Sequence, residues 1–168
     1  MKKIALIGSG GSGKSTLASK LSRILSIKVH HLDSIFWKPG WISTSKNEQK
    51  VVQEELISHD SWIIDGNYGG TLDIRLQAAD TIIFVDLSRW ICIVRVLKRR
   101  FQYRNKKRMD MAEGCEERVS LEFLKWVWEY PDKQKPKITE KLQRLSNEKK
   151  IIILKSRKDV REFVAKLE

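Results

Sequence analysis

Gly8-Ser9-Gly10-Gly11-Ser12-Gly13-Lys14-Ser15 is the stretch that decides how this chain folds. It matches G-x-x-x-x-G-K-[ST] at every fixed position. Ahead of it, Ile4, Ala5, Leu6 and Ile7 make a short apolar run that predicts a buried strand over residues 3–7. Behind it, Leu17, Leu21, Ile24 and Leu25 recur at helical spacing and predict a helix over 14–25. A glycine-rich loop between strand and helix turns its backbone N–H groups inward as a nest for phosphate oxygens, and the helix aims the positive end of its dipole at the same point. Gly8, Gly10, Gly11, Ser12 and Gly13 are therefore read as a phosphate cradle. Lys14 supplies a mobile cation for the β- and γ-phosphates, Ser15 a hydroxyl for Mg²⁺, and Thr16 a further phosphate contact. The expected ligand is ATP with Mg²⁺. The competing reading, a glycine turn with an exposed lysine, does not account for the strand and helix on either side. The pattern alone does not separate kinase from GTPase or motor.

Outward from the loop, further strands are predicted over residues 27–32, 62–64, 81–87 and 151–154. Helices are predicted from a cap at 43–45 to 59, and over 71–78, 88–103, 116–130, 137–145 and 159–167. Val51, Val52, Leu56 and Ile57 are assigned to the apolar face of the second helix, and Pro131 is expected to stop the helix ahead of it. Short apolar strands alternating with amphipathic helices predict an α/β fold, a parallel sheet covered on both faces. The 168 residues suit one domain. Ligands of such sheets sit beyond the carboxyl ends of the strands, so residues at those ends carry the functional reading.

The net charge of +12 favours anionic partners such as nucleotides, nucleic acid or acidic lipid headgroups. Arg95, Lys98, Arg99, Arg100, Arg104, Lys106, Lys107 and Arg108 contribute eight of those charges with no acid between them, so the basic character belongs to one segment. A solvated helical face is the plainer alternative. Cys92 and Cys115 have no metal-type spacing and read as small packing residues of a reduced protein. No stretch approaches the ~20 apolar residues that cross a bilayer, so the expectation is a cytoplasmic protein without membrane contact.

Asp33 follows the second strand and Asp65 the third, while Asp86 ends the fourth. Phosphoryl transfer needs an acid to hold metal-bound water or to take a proton from the attacking hydroxyl. Asp33 is the first choice for that role, with a turn or helix cap as the alternative. Asp65 also suits a turn with Gly66 and Asn67. His30 and His31 read as ordinary packing or surface histidines. Phe36, Trp37 and Trp41 form an aromatic group that suits either stacking on a base or sugar or burial in the core; Trp126 and Trp128 are read as core.

Gly8 to Thr16, Asp33, Asp65-Gly66 and the run Arg95-Val-Leu-Lys-Arg99-Arg100 together resemble adenylate-kinase-like P-loop small-molecule kinases. Over nearly the whole chain, His31-Leu-Asp33 through Trp37-Lys-Pro-Gly-Trp41, Trp62-Ile-Ile-Asp-Gly-Asn-Tyr68, Arg75, Ala79-Asp80 and Asp110-Met-Ala-Glu-Gly-Cys115 look like the group named DNA topology modulation proteins. The resemblance implies a three-layer P-loop NTPase fold with a five-stranded parallel core and a short lid at about 100–118. It also implies that Arg95 and Arg99 grip the transferred phosphoryl group, that Arg104 and Arg108 belong to the lid, and that Arg157 lies beside the adenine. Where adenylate kinases follow Asp-Gly with an aromatic, a proline and a phosphate-binding arginine, this chain has Asn67-Tyr68-Gly69 and no arginine before Arg75. Trp37, Asp65, Asn67, Tyr68 and Arg75 are accordingly read as the acceptor side, with the acceptor itself open. The leading function is a kinase that phosphorylates a small molecule from ATP. The alternatives are an ATP-dependent, nucleic-acid-binding regulator linked to DNA topology, and a nucleotide-binding protein without catalysis.

Overall fold

The computed structural model describes residues 1–103, 110–115 and 119–168. In chain order, β1 (Lys3–Gly8) leads through the loop into α1 (Lys14–Leu25), then β2 (Val29–His31), α2 (Leu32–Phe36) and a small hairpin of β3 (Trp37–Lys38) and β4 (Ile42–Ser43). There follow α3 (Lys46–Ser58), β5 (Trp62–Asp65), a 3-10 turn at Gly69–Thr71, α4 (Leu72–Ala78), β6 (Thr81–Val85) and α5 (Arg89–Gln102). After the undescribed residues come α6 (Leu121–Lys133), α7 (Lys135–Leu145), β7 (Lys150–Leu154) and α8 (Arg157–Ala165). Five strands pair in parallel in the order β2-β5-β1-β6-β7.

Side chains alternate across the sheet, and so do the cores. Ile4, Leu6, Ile63, Ile83 and Val85 point to the face covered by Leu17 and Leu21 of α1, Cys92 and Val96 of α5, Val127 of α6 and Val164 of α8. Ala5, Ile7, Trp62, Ile64, Ile82 and Phe84 point the other way, toward Leu32 and Phe36, Leu72 and Leu76, and Ile138 and Leu142 of α7. The three-layer expectation is met. Register then aligns the functional ends: Gly8 lies opposite Val85, and His31 opposite Asp65.

Four expectations are corrected. Pro131 does not end its helix: α6 runs on to Lys133, because the Gln134 N–H still reaches the Tyr130 carbonyl at 2.9 Å. The break falls at Gln134, where α7 opens with Pro136 in its first turn, a position that needs no N–H. Val51 is exposed, whereas Val52, Leu56 and Ile57 pack against the core as expected; the most buried positions of α3 go to Gln49 and Gln53, the latter because it supplies an acceptor to a buried arginine. Trp128 lies on the surface, whereas Trp126 packs against both cores. Finally, α2 and the β3–β4 hairpin were not expected, and the second strand is correspondingly short. Among the described residues, no helix is long and apolar enough to cross a membrane.

Candidate active site

The phosphate loop leaves β1 at Gly8 and enters α1 at Lys14. Gly11 and Gly13 take left-handed φ values of 76° and 94°, which only glycine adopts without strain. A Cβ at Gly11 would also collide with the Cys92 carbonyl, so the close seat of the loop on α5 depends on its absence. The loop is held at both ends by side chains. Asn67 Oδ1 accepts the Gly8 N–H at 3.2 Å, and Arg95 Nη1 donates to the Ser12 carbonyl at 2.8 Å. Gly13 caps α1 without any side-chain bond, leaving the first-turn N–H groups directed at the loop.

Above this loop lies a cleft of about 1330 Å³. Lys14, Ser15 and Thr16 face it from α1, Arg95 and Arg99 from α5, and Arg157 from the start of α8. Lys14 is only 8% exposed. Arg95 and Arg99 share one side of α5 at i,i+4 spacing, and Ser88 starts that helix by accepting the Ile91 N–H. Burial, and then the neighbouring Arg157, pull the Arg95 guanidinium below its ordinary pKa. Two guanidinium groups thus crowd together at a cleft that suits an anion. Arg95 is fastened to the loop carbonyls, so it braces the cradle in addition to facing the cleft.

A second group of residues gathers where β2 and β5 end. The Tyr68 hydroxyl donates to Asp33 Oδ1 at 2.8 Å and receives a hydrogen bond from Trp37. The Tyr68 ring meets Phe36 edge-on at 4.8 Å between centroids. Burial, followed by the charge of Asp33, pushes the Tyr68 phenol far above its ordinary pKa, so it stays a donor to the carboxylate. Trp37 meets Trp41 edge-on at 5.5 Å. The β3–β4 hairpin is tied to the segment 110–115: the Gly40 N–H donates to the Gly114 carbonyl at 3.1 Å, and the Cys115 thiol to the Lys38 carbonyl at 3.2 Å.

Two of the residues read as the acceptor side are buried and held by internal partners. Arg75 is 0% exposed; its guanidinium donates to Gln53 Oε1 at 3.0 Å and to the Gly66 carbonyl at 2.9 Å. It holds up the Gly66–Tyr68 turn from beneath, with no exposed surface of its own. Burial, opposed by Asp65, lowers its pKa to about 10, still charged at neutral pH. Asp65 is buried too, with Oδ2 at 2.8 Å from His31 Nδ1. His31 lines the cleft and was passed over in the sequence; the signal was available only in the strand order, which sets it opposite Asp65. Asp110 faces the cleft as well. Asp86 lies one residue past β6 and pairs with Lys135 at 2.7 Å. Arg104 and Arg108 lie outside the described residues.

No protein-family model and no curated protein sequence matches the chain. Solved structures do. A deoxyadenosine kinase from M. mycoides with dCMP and dCDP bound aligns at TM-score 0.51 and 14% identity, over 98% of this chain and 97% of that one. A shikimate kinase from Bacteroides thetaiotaomicron aligns at TM-score 0.53 and 16% identity, over 98% and 94%. The fold is that of the P-loop kinases. At this identity the likeness carries the architecture, so the chemistry rests on the side chains described above.

Proposed function

We propose that the chain is a small P-loop kinase, of the adenylate-kinase-like kind to which the DNA topology modulation proteins are similar, transferring the γ-phosphoryl group of ATP to a hydroxyl or phosphate of a small molecule. The observation that carries this reading is the convergence of Lys14, Ser15, Arg95, Arg99 and Arg157 on one cleft, with Asp33 aligned by Tyr68 at the neighbouring strand ends. The two structural neighbours, both kinases of small molecules by name, agree with it.

In this reading the loop N–H groups and Lys14 hold the β- and γ-phosphates. Ser15 offers its hydroxyl to Mg²⁺. Among the described residues there is no group of three His, Cys, Asp or Glu side chains suited to a metal, which fits an ion that keeps most of its water and takes few protein ligands. Bound with ATP, the ion offsets charge on the phosphates. Arg99 stabilises the charge that spreads over the transferring group, Arg157 and the stem of Arg95 flank the base, and Asp33 takes the proton of an acceptor hydroxyl held beside Trp37, Asn67 and Tyr68. The DNA-binding alternative rests on the basic run; Arg95, Lys98 and Arg99 of that run line the cleft, and residues 104–108 lie outside the description.

The test is incubation with ATP, Mg²⁺ and a panel of nucleosides, nucleotides and hydroxylated acids, with ADP release as the readout. Acceptor-dependent ADP release is expected. ATP binding without release by any acceptor, combined with tight DNA binding that survives added salt, would replace this reading with the regulatory one.

A further inference from the structure

Where α6 gives way to α7, the chain encloses a second hollow of about 240 Å³. Among the described residues it shares no lining side chain with the cleft above the phosphate loop. It lies on the face of the sheet away from α1, and Ile7, Leu72 and Ile138 give it an apolar base, each buried in that core. Trp126 and Tyr130 of α6 add two rings, set edge-on at 5.2 Å between centroids.

The polar groups at this hollow are hydrogen-bond donors. Asn67 Oδ1 is taken by the Gly8 N–H at 3.2 Å, which leaves the Asn67 N–H₂ group for the hollow. Gln134 and Lys137 line it from the start of α7. Among the described residues, neither the Gln134 side chain nor the Lys137 ammonium has a partner, whereas Lys141 is paired with Asp73. α7 begins here without a side-chain cap, so the positive end of its dipole adds to Lys137. Tyr130 is only 4% exposed, and its hydroxyl is buried with no hydrogen-bond partner. Burial, and then the charge of Asp86, push that phenol well above its ordinary pKa, so it too stays a donor. A buried donor without an acceptor is uncommon in a native protein.

One unpaired cation, neutral donors and an apolar base suit a single negative charge on an apolar body. A dry cavity of about 150 Å³ accepts a benzene ring, so this hollow has room for a ring with a carboxylate. We propose that it is an effector site for a small ring-bearing monocarboxylate, whose carboxylate accepts from Lys137 and the side-chain amides of Asn67 and Gln134 while its body packs on Ile7, Leu72 and Trp126. Asn67 couples the site to the phosphate loop. An occupant that accepts from its N–H₂ group fixes the side chain whose oxygen holds Gly8. Occupancy therefore tightens ATP binding, and ATP tightens occupancy by the same factor. The coupling rests on the phosphate-loop reading of the proposed function; the site itself does not.

NMR titration of the ¹⁵N-labelled full chain with benzoate, and with benzyl alcohol as its neutral counterpart, tests the site. Saturable shifts are expected at the Asn67 and Gln134 side-chain amides, with a benzoate dissociation constant on the order of 1 mM. Benzyl alcohol should bind at least about tenfold more weakly, and Lys137→Met, a change at an exposed residue, should weaken benzoate by a similar factor. Gly69→Leu should abolish the shifts by filling the hollow, since a Cβ at Gly69 meets nothing within 4 Å and the backbone tolerates it. Calorimetry should show ATP binding about fivefold tighter in saturating benzoate for wild type, and no such gain for Lys137→Met, whose affinity for ATP alone stays that of wild type. The absence of saturable shifts up to about 20 mM benzoate overturns the proposal, as do shifts that survive both Lys137→Met and Gly69→Leu. Shifts at Asn67 and Gln134 with an unchanged ATP affinity overturn the effector role. ADP release that rises with benzoate overturns it as well, by making the hollow the acceptor's seat. A wild type that fails to bind ATP at all would remove the phosphate-loop reading instead, while the benzoate shifts would still show the site.

Discussion

The Tyr68 hydroxyl donates to the Asp33 carboxylate at 2.8 Å, joining the turn after β5 to the first turn of α2. The bond spends one lone pair of Asp33 and fixes where the other oxygen points. If Asp33 is the base, Asp33→Asn lowers turnover about 10²- to 10⁴-fold and leaves ATP affinity unchanged. Tyr68→Phe keeps the packing on Phe36 and removes only the aim; it should lower turnover less, without altering ATP binding. Steady-state rates with the acceptor from the panel and calorimetry with ATP check both. Wild-type turnover in Asp33→Asn would return Asp33 to a capping role.

Lys14 is nearly enclosed at the head of α1 and lines the cleft. Lys14→Ala is expected to abolish tight ATP binding with the fold intact. Calorimetric titration of the folded variant decides the matter; undiminished affinity would defeat the phosphate-loop assignment.

Arg99 shares its face of α5 with Arg95, but the Arg95 guanidinium is engaged with the loop carbonyls. The two should therefore separate kinetically. Arg99→Ala is expected to cut turnover about 10³- to 10⁵-fold, as loss of a catalytic arginine does in phosphoryl transfer, with a small effect on ATP affinity. Arg95→Ala should weaken ATP binding as well, since it unpins the cradle. Measuring ATP affinity, turnover and DNA affinity on one Arg99→Ala preparation is the check. Normal turnover with reduced DNA binding would remove this helix from the kinase reading.

Arg75, read from the sequence as an acceptor-side residue, lies buried beneath the Gly66–Tyr68 turn. Arg75→Met should cost roughly 2–4 kcal/mol, because Gln53 Oε1 and the Gly66 carbonyl lose their donors inside the protein. Chemical denaturation with an unchanged m-value would show it. A variant as stable as wild type, with only its acceptor KM raised, would restore Arg75 to substrate binding.

His31 links pH to stability. Burial alone would depress its pKa, but the hydrogen bond it donates to Asp65 and the charges of Asp65, Asp110 and Asp33 raise it above 6.5. A group raised in the folded state contributes fully below its unfolded value, and that contribution is lost as pH rises through the folded value. Melting temperature should therefore fall for wild type as pH climbs above about 6.5, relative to His31→Gln, which has no proton to lose. Parallel pH profiles for the two proteins would contradict this.

Much of the fold could be read from local pattern. The strand before Gly8, the helix from Lys14 to Leu25 and the cap at Ser88 each follow from a few adjacent residues. What escaped depends on partners distant in the chain. His31 and Asp65 meet only because β2 and β5 are neighbours in the sheet. Arg75 resembles a ligand residue until Gln53, an inward polar side chain on another helix, gives it somewhere to be buried. Pro131 obeys its local rule, since the bond it forgoes is missing, yet the packing of Val127 and Tyr130 on either core keeps the helix going for two residues more.

The hydrogen bonds from Gly40 to Gly114 and from Cys115 to Lys38 join the β3–β4 hairpin to the segment 110–115. Asp110 of that second segment looks into the cleft above the loop, while Trp37 of the hairpin reaches Tyr68 and so Asp33. The two segments therefore work as a yoke. A displacement of either one would pull on the other, because both ends of the hairpin turn are tied to the same short segment.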